Sequence, residues 1–438
     1  SQGKILTLLT NPIIISVVLM TLLCLFRFNV LLSLLISALV AGIFSHIEIM
    51  ETMSILIDGM KGNLKTALSY ILLGAIAAAI SRTNLTAYLI KVVSRFISHK
   101  KYLLLLSIAL ISCFSQNLIP IHVAFIPLLI PPLLSLFNKL KIDRRAVACA
   151  LTFGLTTPYM VLPIGFGLNF QDLLRENLEK NGVNVNLADV TNAMYYAAIC
   201  MVLGLFLALF VFYRKPREYQ EIEIQKIDFD NIKMGRKEWG VLVGLILTLV
   251  LQIFTMNLPL SGLLGFISMV ILGGVEYKSV NDIFDDGLKL MGFIAFVMLV
   301  AAGYGEVLKQ SGAVNELVNS VVPWMQENKF LAVFLMLLIG LIITMGIGTS
   351  FGTIPIIATL FCPICLELGF SAALIIFILG VAGALGDAGS PASETTMGTS
   401  VGLSVDKQHD HIKDTCIPTF IFYNGPLLIL GSIIAMFL

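Results

Sequence analysis

Long apolar blocks separated by short polar stretches run through the chain from one end to the other. Apolar residues fill Pro12 to Phe26, Val30 to Phe44, Ala193 to Tyr213, Trp239 to Met256 and Thr415 to Leu438. A helix needs roughly 17–25 such residues to cross the hydrocarbon core of a bilayer. Only helices and closed barrels satisfy their backbone there, and the alternation typical of strands is absent. The pattern therefore predicts an all-α membrane protein with about ten crossings.

The order of apolar and polar segments occurs twice along the chain. Asp58-Gly59-Met60 recurs as Asp286-Gly287-Leu288, with matching apolar blocks on either side of each copy. A long polar stretch separates the copies. We therefore divide the chain into a first repeat at residues 1–213, a charged cytoplasmic linker at 214–238 and a second repeat at 239–438.

Each repeat contains a stretch that is too long for one membrane helix and too short for two. These stretches are Tyr102 to Leu140 and Phe330 to Leu368. A polar tip interrupts each of them, at residues 115–117 in the first and at 348–352 in the second. Such a tip is tolerated only where protein or a water-filled cavity surrounds it. We therefore expect a re-entrant helical hairpin in each repeat.

A second interrupted element follows each hairpin. Thr156-Thr157-Pro158 interrupts the first and Gly389-Ser390-Pro391 the second. These interruptions predict a discontinuous helix in each repeat. Each repeat then has about five crossings, an odd number, so the two copies must be inverted relative to each other.

The distribution of charge gives an orientation. Basic residues cluster at both ends of the first hairpin, at 100–101 and 139–145, whereas the ends of the second carry only Lys329 and Glu367. Basic loops stay on the cytoplasmic side, so both termini are predicted to be external, in a multi-pass protein of the cell (inner) membrane. We expect His409 and His411 to lie in a solvated cytoplasmic patch.

Two acidic residues distinguish the second interrupted element from the first. Asp387 stands where the first repeat has Gly154, and Glu394 stands where it has Val161. An ionisable group at membrane depth is costly, which makes both carboxylates functional candidates. Broken helices also expose N–H and C=O groups that bind ions. In the alternative interpretation Asp387 only caps a half-helix and Glu394 only reaches water.

The segment from Gly386 to Thr396 resembles a known family signature. Its Gly-Asp, Ser-Pro and Ser-Glu-Thr-Thr groups are similar to the GD..SP.SDTT motif of NhaC-type sodium/proton antiporters, within the ion transporter superfamily. The repeat layout resembles that family over nearly the whole chain, but Glu394 replaces the usual Asp. Related members are described as moving amino acids, histidine among them. The resemblance implies cation-coupled transport with an elevator-like or rocking movement.

Two functions of a secondary active transporter fit this pattern. In the first, a Na⁺/H⁺ antiporter, either ion binds at Asp387, Glu394 and Ser393, and neighbouring hydroxyls complete an oxygen shell. In the second, a Na⁺- or H⁺-coupled importer of a histidine-like amino acid, the hairpin tips bind the substrate. The candidate ion- and substrate-binding residues are Asp387, Ser390, Ser393, Glu394, Thr395, Thr396, Thr349, Ser350, Gly352, Gln116, Asn117, His122 and Thr157.

Other classes of function are disfavoured. Residues 348–352 match the GxSxG elbow of hydrolases, but their context is helical, so we expect no enzyme. The polar residues cluster at tips and breaks, whereas a channel needs a continuous polar path. A net charge of +1 gives no reason to expect nucleic acid. The expected partners are the lipid bilayer and a small cation or amino acid, with no cofactor beyond Na⁺ or H⁺; a homodimer is suggested by analogy alone.

Overall fold

The computed structural model describes residues 2–26, 28–85, 87–88, 91, 100–117, 122–164, 166–221, 231–255, 257–347 and 350–438. Every regular element within these ranges is a helix. The prediction of an all-α protein is therefore confirmed, and the apolar composition of the helices is that of a membrane protein.

Two short turns accompany the described helices of the first half. A 3₁₀ turn at Met60–Asn63 joins α4 to α5, and a π-helical turn at Leu207–Phe212 extends α10. The helices are α1 (Gln2–Leu9), α2 (Pro12–Leu25), α3 (Val30–Phe44), α4 (Ile49–Gly59), α5 (Leu64–Ser81), α6 (Lys101–Asn117), α7 (His122–Lys139), α8 (Arg144–Val161), α9 (Phe166–Lys180) and α10 (Leu187–Phe206).

The second half begins after the linker and ends in a long helix that contains two π-helical turns, at His411–Cys416 and Phe420–Asn424. Its helices are α11 (Arg236–Thr255), α12 (Leu258–Ile271), α13 (Val280–Gln310), α14 (Ala313–Met325), α15 (Lys329–Ile347), α16 (Ser350–Glu367), α17 (Ala372–Ala384), α18 (Glu394–Leu403) and α19 (His411–Ala435).

Length and composition single out the helices that can span a bilayer alone. Within the described ranges they are Leu187–Phe212, Arg236–Thr255, Met291–Gln310, Lys329–Gly346 and His411–Ala435. Helices α4 and α5 together pass the same test, although they are bent by 53°. Several shorter apolar helices, including α2, α3 and α17, accompany them. The total of ten crossings and the inversion of the two halves stay predictions.

Each hairpin stretch contains two described helices. Helix α6 ends at Asn117 and α7 begins at His122, and α15 ends at Ile347 before α16 begins at Ser350. Residues 115–117, predicted to interrupt the first stretch, are helical and end α6, so that part of the prediction is wrong, and residues 350–352 of the second predicted tip begin α16. Residues 118–121 and 348–349 lie outside the described residues. The two hairpins and their re-entrant depth in the bilayer stay predictions.

The predicted break at Thr156-Thr157-Pro158 is wrong. Helix α8 is continuous from Arg144 to Val161, with Pro158 inside it. Proline removes one backbone donor, and here it lies in the last turn, just before the helix ends at Leu162, whose N–H donates to the Pro158 carbonyl. A proline so close to a helix end disturbs little of the helix that follows it.

The break of the second half, in contrast, is present in the structure. Helix α17 ends at Ala384 and α18 begins at Glu394, and we call residues 385–393 between them the break loop. Helix α17 is buried along its length and packs against α15, α16 and α10, while α18 packs against α7 and α8. The break loop therefore lies between helices of both halves.

The predicted inversion has a direct test, because the ends of the two hairpins should lie on opposite sides of the membrane. Lys141 follows α7 and Glu367 ends α16, and both are exposed. On a Cys-free background, Lys141→Cys should react with a membrane-impermeant thiol reagent only from the cytoplasm, and Glu367→Cys only from outside. Labelling of both cysteines from the same side would disprove the inverted arrangement.

Candidate functional site

Two glycines and one asparagine hold the backbone of the break loop. Gly386 and Gly389 adopt φ angles of 90° and 84°, a region that favours glycine. A Cβ added to Gly389 would lie 2.6 Å from the Cα of Phe420 on α19, so the close approach also requires glycine. The backbone N–H of Gly386 donates to Asn424 Oδ1 at 3.2 Å, and Asn424 Nδ2 donates to the Ala388 carbonyl at 2.7 Å. Asn424 thus bonds to both sides of Asp387.

Asp387 lies where α8, α16 and α18 meet the break loop. Tyr159 Oη, from α8, donates to Asp387 Oδ2 at 2.9 Å, and Thr395 Oγ1, from α18, donates to the same oxygen at 3.3 Å. Tyr159 Oη is also 3.5 Å from Ser350 Oγ at the start of α16. Helices of both halves therefore contribute hydroxyls around one carboxylate.

The start of α18 is fixed by hydroxyl groups. Ser393 is the N-cap and accepts a hydrogen bond from the backbone N–H of Thr396 at 3.2 Å. The hydroxyl of Thr396 donates to the Ser390 carbonyl, which ties α18 back to the break loop. Glu394 is thereby held in the first turn of α18, where a carboxylate is favoured by the helix dipole. The buried hydroxyl of Tyr70, on α5, lies beside Glu394 and within electrostatic reach of Asp387.

The two carboxylates are less enclosed than the hydroxyls near them. Asp387 and Glu394 are half-buried, whereas Ser390 and Thr395 are buried. An anion costs less where water can still reach it. The carboxylates are therefore the more accessible groups of the site.

Several buried hydroxyls in this region have no hydrogen-bond partner among the described residues. They include those of Thr157 on α8, Ser390 in the break loop and Thr399 on α18. A buried polar group left unpaired costs about 1–3 kcal/mol, so it needs a partner such as an ion or water. Hydroxyl, carboxylate and carbonyl oxygens are the ligands of hard cations. The donor set suits a cation such as Na⁺ better than a transition metal, and no group of three or more His, Cys, Asp or Glu within the described ranges is placed to hold a metal ion.

The structure thus brings together a large part of the predicted site: Asp387, Ser390, Ser393, Glu394, Thr395, Thr396 and Ser350. Thr157 lies on α8 two residues before Tyr159, and its buried hydroxyl has no hydrogen-bond partner among the described residues. The remaining candidates belong to the hairpin tips. Gln116 and Asn117 end α6, His122 begins α7 and Gly352 lies in the first turn of α16, all four with only their backbone described. Thr349 lies outside the described residues.

Sequence reasoning missed Tyr70, Tyr159 and Asn424, which contact the carboxylates or the break loop. An asparagine inside the last apolar block was the one available signal for Asn424. The expectation of a solvated histidine patch is wrong. His409 is only 6% exposed, and His411 Nε2 lies 2.8 Å from the Pro391 carbonyl in the break loop.

Comparisons with known proteins show which family and which relatives the chain is similar to. Residues 150–433 match the description "Na+/H+ antiporter family", and residues 11–97 match a second one, "Na+-H+ antiporter family". An uncharacterized membrane protein of Vibrio parahaemolyticus is 45% identical over 98% of this chain and 100% of its own length. A Bacillus subtilis protein provisionally named an amino acid transporter, YuiF, is 44% identical with the same coverage. The solved YdaH transporter of Alcanivorax borkumensis has a TM-score of 0.44 and 14% identity, covering 87% of this chain and 86% of that one.

Proposed function

The chain belongs to the Na⁺/H⁺ antiporter family and is a membrane transporter, and we propose that it exchanges Na⁺ for H⁺ at Asp387 and Glu394. The observation that carries this proposal is the position of Asp387. Its carboxylate accepts from Tyr159 and Thr395 at a break between two helices, where backbone groups are left without helical partners. Helix breaks of this kind hold substrates and coupling ions in secondary transporters.

The exchange follows from competition for one pair of carboxylates. A proton or a Na⁺ ion neutralises the charge, and the loaded site can then be moved through a low-dielectric environment. The bare anion cannot move at low cost, because a buried unpaired charge costs several kcal/mol. Coupling therefore requires only that the two ions exclude each other.

The neighbouring hydroxyls have distinct parts in this scheme. Tyr159 and Thr395 donate to Asp387 while it is ionised. These bonds stabilise the anion after one ion has left and before the next one binds. Ser393 and Thr396 fix the first turn of α18 and with it the position of Glu394. The unpartnered hydroxyl of Ser390, in the break loop, is available as an oxygen ligand. We further propose the cell (inner) membrane as the location and inverted halves as the frame of the movement.

A second candidate is a Na⁺- or H⁺-coupled importer of an amino acid such as histidine. The provisional name of the Bacillus subtilis relative favours it. In this candidate the carboxylates and hydroxyls hold the coupling ion. Gln116, Asn117 and His122, at the ends of α6 and α7, would then bind the organic substrate.

Ligand binding to the purified full chain distinguishes the two candidates. The antiporter should be stabilised against thermal unfolding by Na⁺ alone and by no amino acid in the presence of Na⁺. Asn117→Ala should then either alter Na⁺ and H⁺ binding together or change nothing. For the importer, losing an amide partner costs about 1–3 kcal/mol, so Asn117→Ala should raise the substrate Kd by roughly tenfold to hundredfold and leave the Na⁺ Kd unchanged. That selective loss would overturn the antiporter proposal.

A further inference from the structure

Two histidines and two hydroxyl residues form a continuous chain of hydrogen bonds that ends at the break loop. His409 Nε2 is 2.6 Å from Thr415 Oγ1, and Thr415 Oγ1 is 2.9 Å from Ser400 Oγ. Ser400 Oγ is 2.7 Å from His411 Nδ1, and His411 Nε2 is 2.8 Å from the carbonyl oxygen of Pro391. This chain of hydrogen bonds connects the loop after α18 with the break loop, which carries Asp387.

The last bond of this chain fixes the direction of the others. The Pro391 carbonyl can only accept, so His411 Nε2 carries a hydrogen. In the structure Ser400 Oγ donates to Thr415 Oγ1. When His411 is neutral, its Nδ1 must accept from Ser400, so the hydroxyl hydrogens rotate: Ser400 then accepts from Thr415, and Thr415 accepts from His409 Nε2–H. When His411 is a cation, Nδ1–H donates to Ser400, Ser400 donates to Thr415, and Thr415 donates to His409 Nε2.

One proton is what separates these two arrangements. A proton that binds His409 at Nδ1 releases the Nε2 proton to Thr415, Thr415 passes its own to Ser400, and Ser400 passes its own to His411 Nδ1. Each atom in between gains one proton and gives one away, so the charge is conserved and ends on His411. His409 Nδ1 is the unbonded end of this hydrogen-bond chain: it is buried and has no hydrogen-bond partner among the described residues.

We propose that His409, Thr415, Ser400 and His411 form a proton relay that loads a proton from the basic face of the molecule onto His411. The basic face is the side that the charge distribution predicts to be cytoplasmic. His411 is then a second proton-binding site, outside the carboxylates, and it faces the break loop directly. The proposal rests on the proposed function, because its effect is exerted on the cation bound at Asp387 and Glu394.

The pKa of His409 and the charges around it suit a relay in which His409 passes a proton on and does not keep it. Burial lowers the pKa of His409 to about 4, so that ring is neutral near pH 7. Asp414 and Asp410 favour a proton on His409, and Arg144 and His411 oppose it. The charged and titratable groups around the two rings are Asp410, Asp414, Arg144 and Cys416, with each histidine also facing the other.

A proton on His411 adds one positive charge beside the break loop. That charge repels a cation at the carboxylates, so acidification from the basic face should weaken cation binding beyond direct competition. Coupling between two sites of this kind is typically about 5–150-fold in affinity. The relay therefore links the pH on one side of the membrane to the affinity of the transport site.

The first experiment measures Na⁺ binding to the purified full chain by calorimetry at pH 8 and at pH 5. His411→Gln keeps an N–H donor for the Pro391 carbonyl but cannot take up a proton. The wild-type Kd should rise on acidification, and the rise in His411→Gln should be about tenfold smaller. An equal rise in both proteins would overturn the proton site on His411. A wild-type Kd that does not depend on pH would instead refute the proposed exchange at the carboxylates.

The second experiment does not require Na⁺ and tests the route itself. Proton uptake after a jump from pH 8 to pH 5 is followed with a pH-indicator dye. Thr415→Val removes one hydroxyl and keeps the shape, so the uptake assigned to His411 should slow by at least about tenfold. Thr415→Ser is the matched control and should retain the wild-type rate.

A second interruption keeps the relay testable if Thr415→Val does not fold. Ser400→Ala should slow the same phase, and the double variant should be no slower than either single one, because one gap already interrupts the chain. In His411→Gln, which has no proton acceptor at this position, the phase of proton uptake assigned to His411 should be missing. Uptake at the wild-type rate in both Thr415→Val and Ser400→Ala would exclude the relay.

Discussion

Asp387→Asn should abolish coupled transport and leave the protein folded. The amide has nearly the same shape and can still accept from Tyr159 and Thr395 through its oxygen. It can neither exchange a proton nor neutralise a cation. A buried cation without its counter-charge costs about 3–5 kcal/mol, so exchange should fall by at least about 100-fold. The measurement is Na⁺-dependent proton flux in proteoliposomes, with thermal unfolding as the test of folding.

Substitutions at Glu394, the second carboxylate, and at Tyr159 are controls whose expected effects differ in size. Glu394→Gln should reduce exchange nearly as much, whereas Glu394→Asp, which restores the residue usual in the family signature, should retain activity. Tyr159→Phe removes one donor to Asp387 but keeps the aromatic ring and the carboxylate. It should weaken exchange by less than Asp387→Asn does. Wild-type flux in Asp387→Asn would refute the assignment of the site.

The positions of the two carboxylates could be predicted because they differ between the two copies. In the predicted repeat, Asp387 and Glu394 stand where the first copy has Gly154 and Val161, and a charge in an apolar block is rare enough to carry information. Tyr159 could not be found in this way. A tyrosine within an apolar helix resembles any buried aromatic residue, and only the structure gives the 2.9 Å contact of its hydroxyl with Asp387.

Two of the sequence predictions that the structure contradicts, the break in α8 and the exposure of the histidines, failed for physical reasons. Thr156-Thr157-Pro158 has the composition of a break, but proline in the last turn of α8 costs little, so the helix continues to Val161. The histidines after α18 follow a charged stretch, and a charged stretch usually predicts exposure. There α19 begins with a π-helical turn at His411–Cys416, and the histidine side chains bond to Thr415 and Ser400. Sequence patterns do not encode such side-chain pairings.

The charged linker also has more structure than its composition indicated. Its first residues pack on the basic face beside the start of α8. The N–H of Arg217 donates to the Lys141 carbonyl at 3.0 Å, and the Arg144 N–H donates to the Tyr219 hydroxyl at 3.0 Å. Gln220 and Gln408 exchange two hydrogen bonds, of 2.7 and 2.9 Å. The linker therefore contacts the end of the first hairpin and the loop after α18 together.

At the centre of this basic face lies a fully buried ion pair. The side chains of Arg144 and Asp406 are 1% and 7% exposed, and two parallel bonds of 2.6 Å join the guanidinium to the carboxylate. The guanidinium also donates to Asn138 Oδ1 at 3.1 Å and stacks on the ring of Tyr219. Burial alone would raise the pKa of Asp406, but the hydrogen bonds and charge of Arg144 outweigh it and hold that pKa below its usual value of 3.8.

The sign of the pH dependence follows from this lowered pKa. A carboxylate whose pKa is lower in the folded protein than in the unfolded chain contributes stability above the unfolded value. That contribution is lost as the pH falls through the folded value. The ion pair should therefore stabilise the protein fully at neutral pH and cease to do so only below about pH 4.

Arg144→Ala should destabilise the protein by about 3–5 kcal/mol, because it leaves the buried carboxylate of Asp406 without a counter-charge. The matched control is Lys141→Ala, which breaks an exposed pair with Glu218 and should cost at most about 1 kcal/mol. Thermal unfolding in detergent at pH 7 compares the two variants. The double variant Arg144→Ala/Asp406→Ala should be more stable than Arg144→Ala alone, because the isolated charge is then removed as well. Equal stability of Arg144→Ala and Lys141→Ala would show that this ion pair does not hold the basic face together.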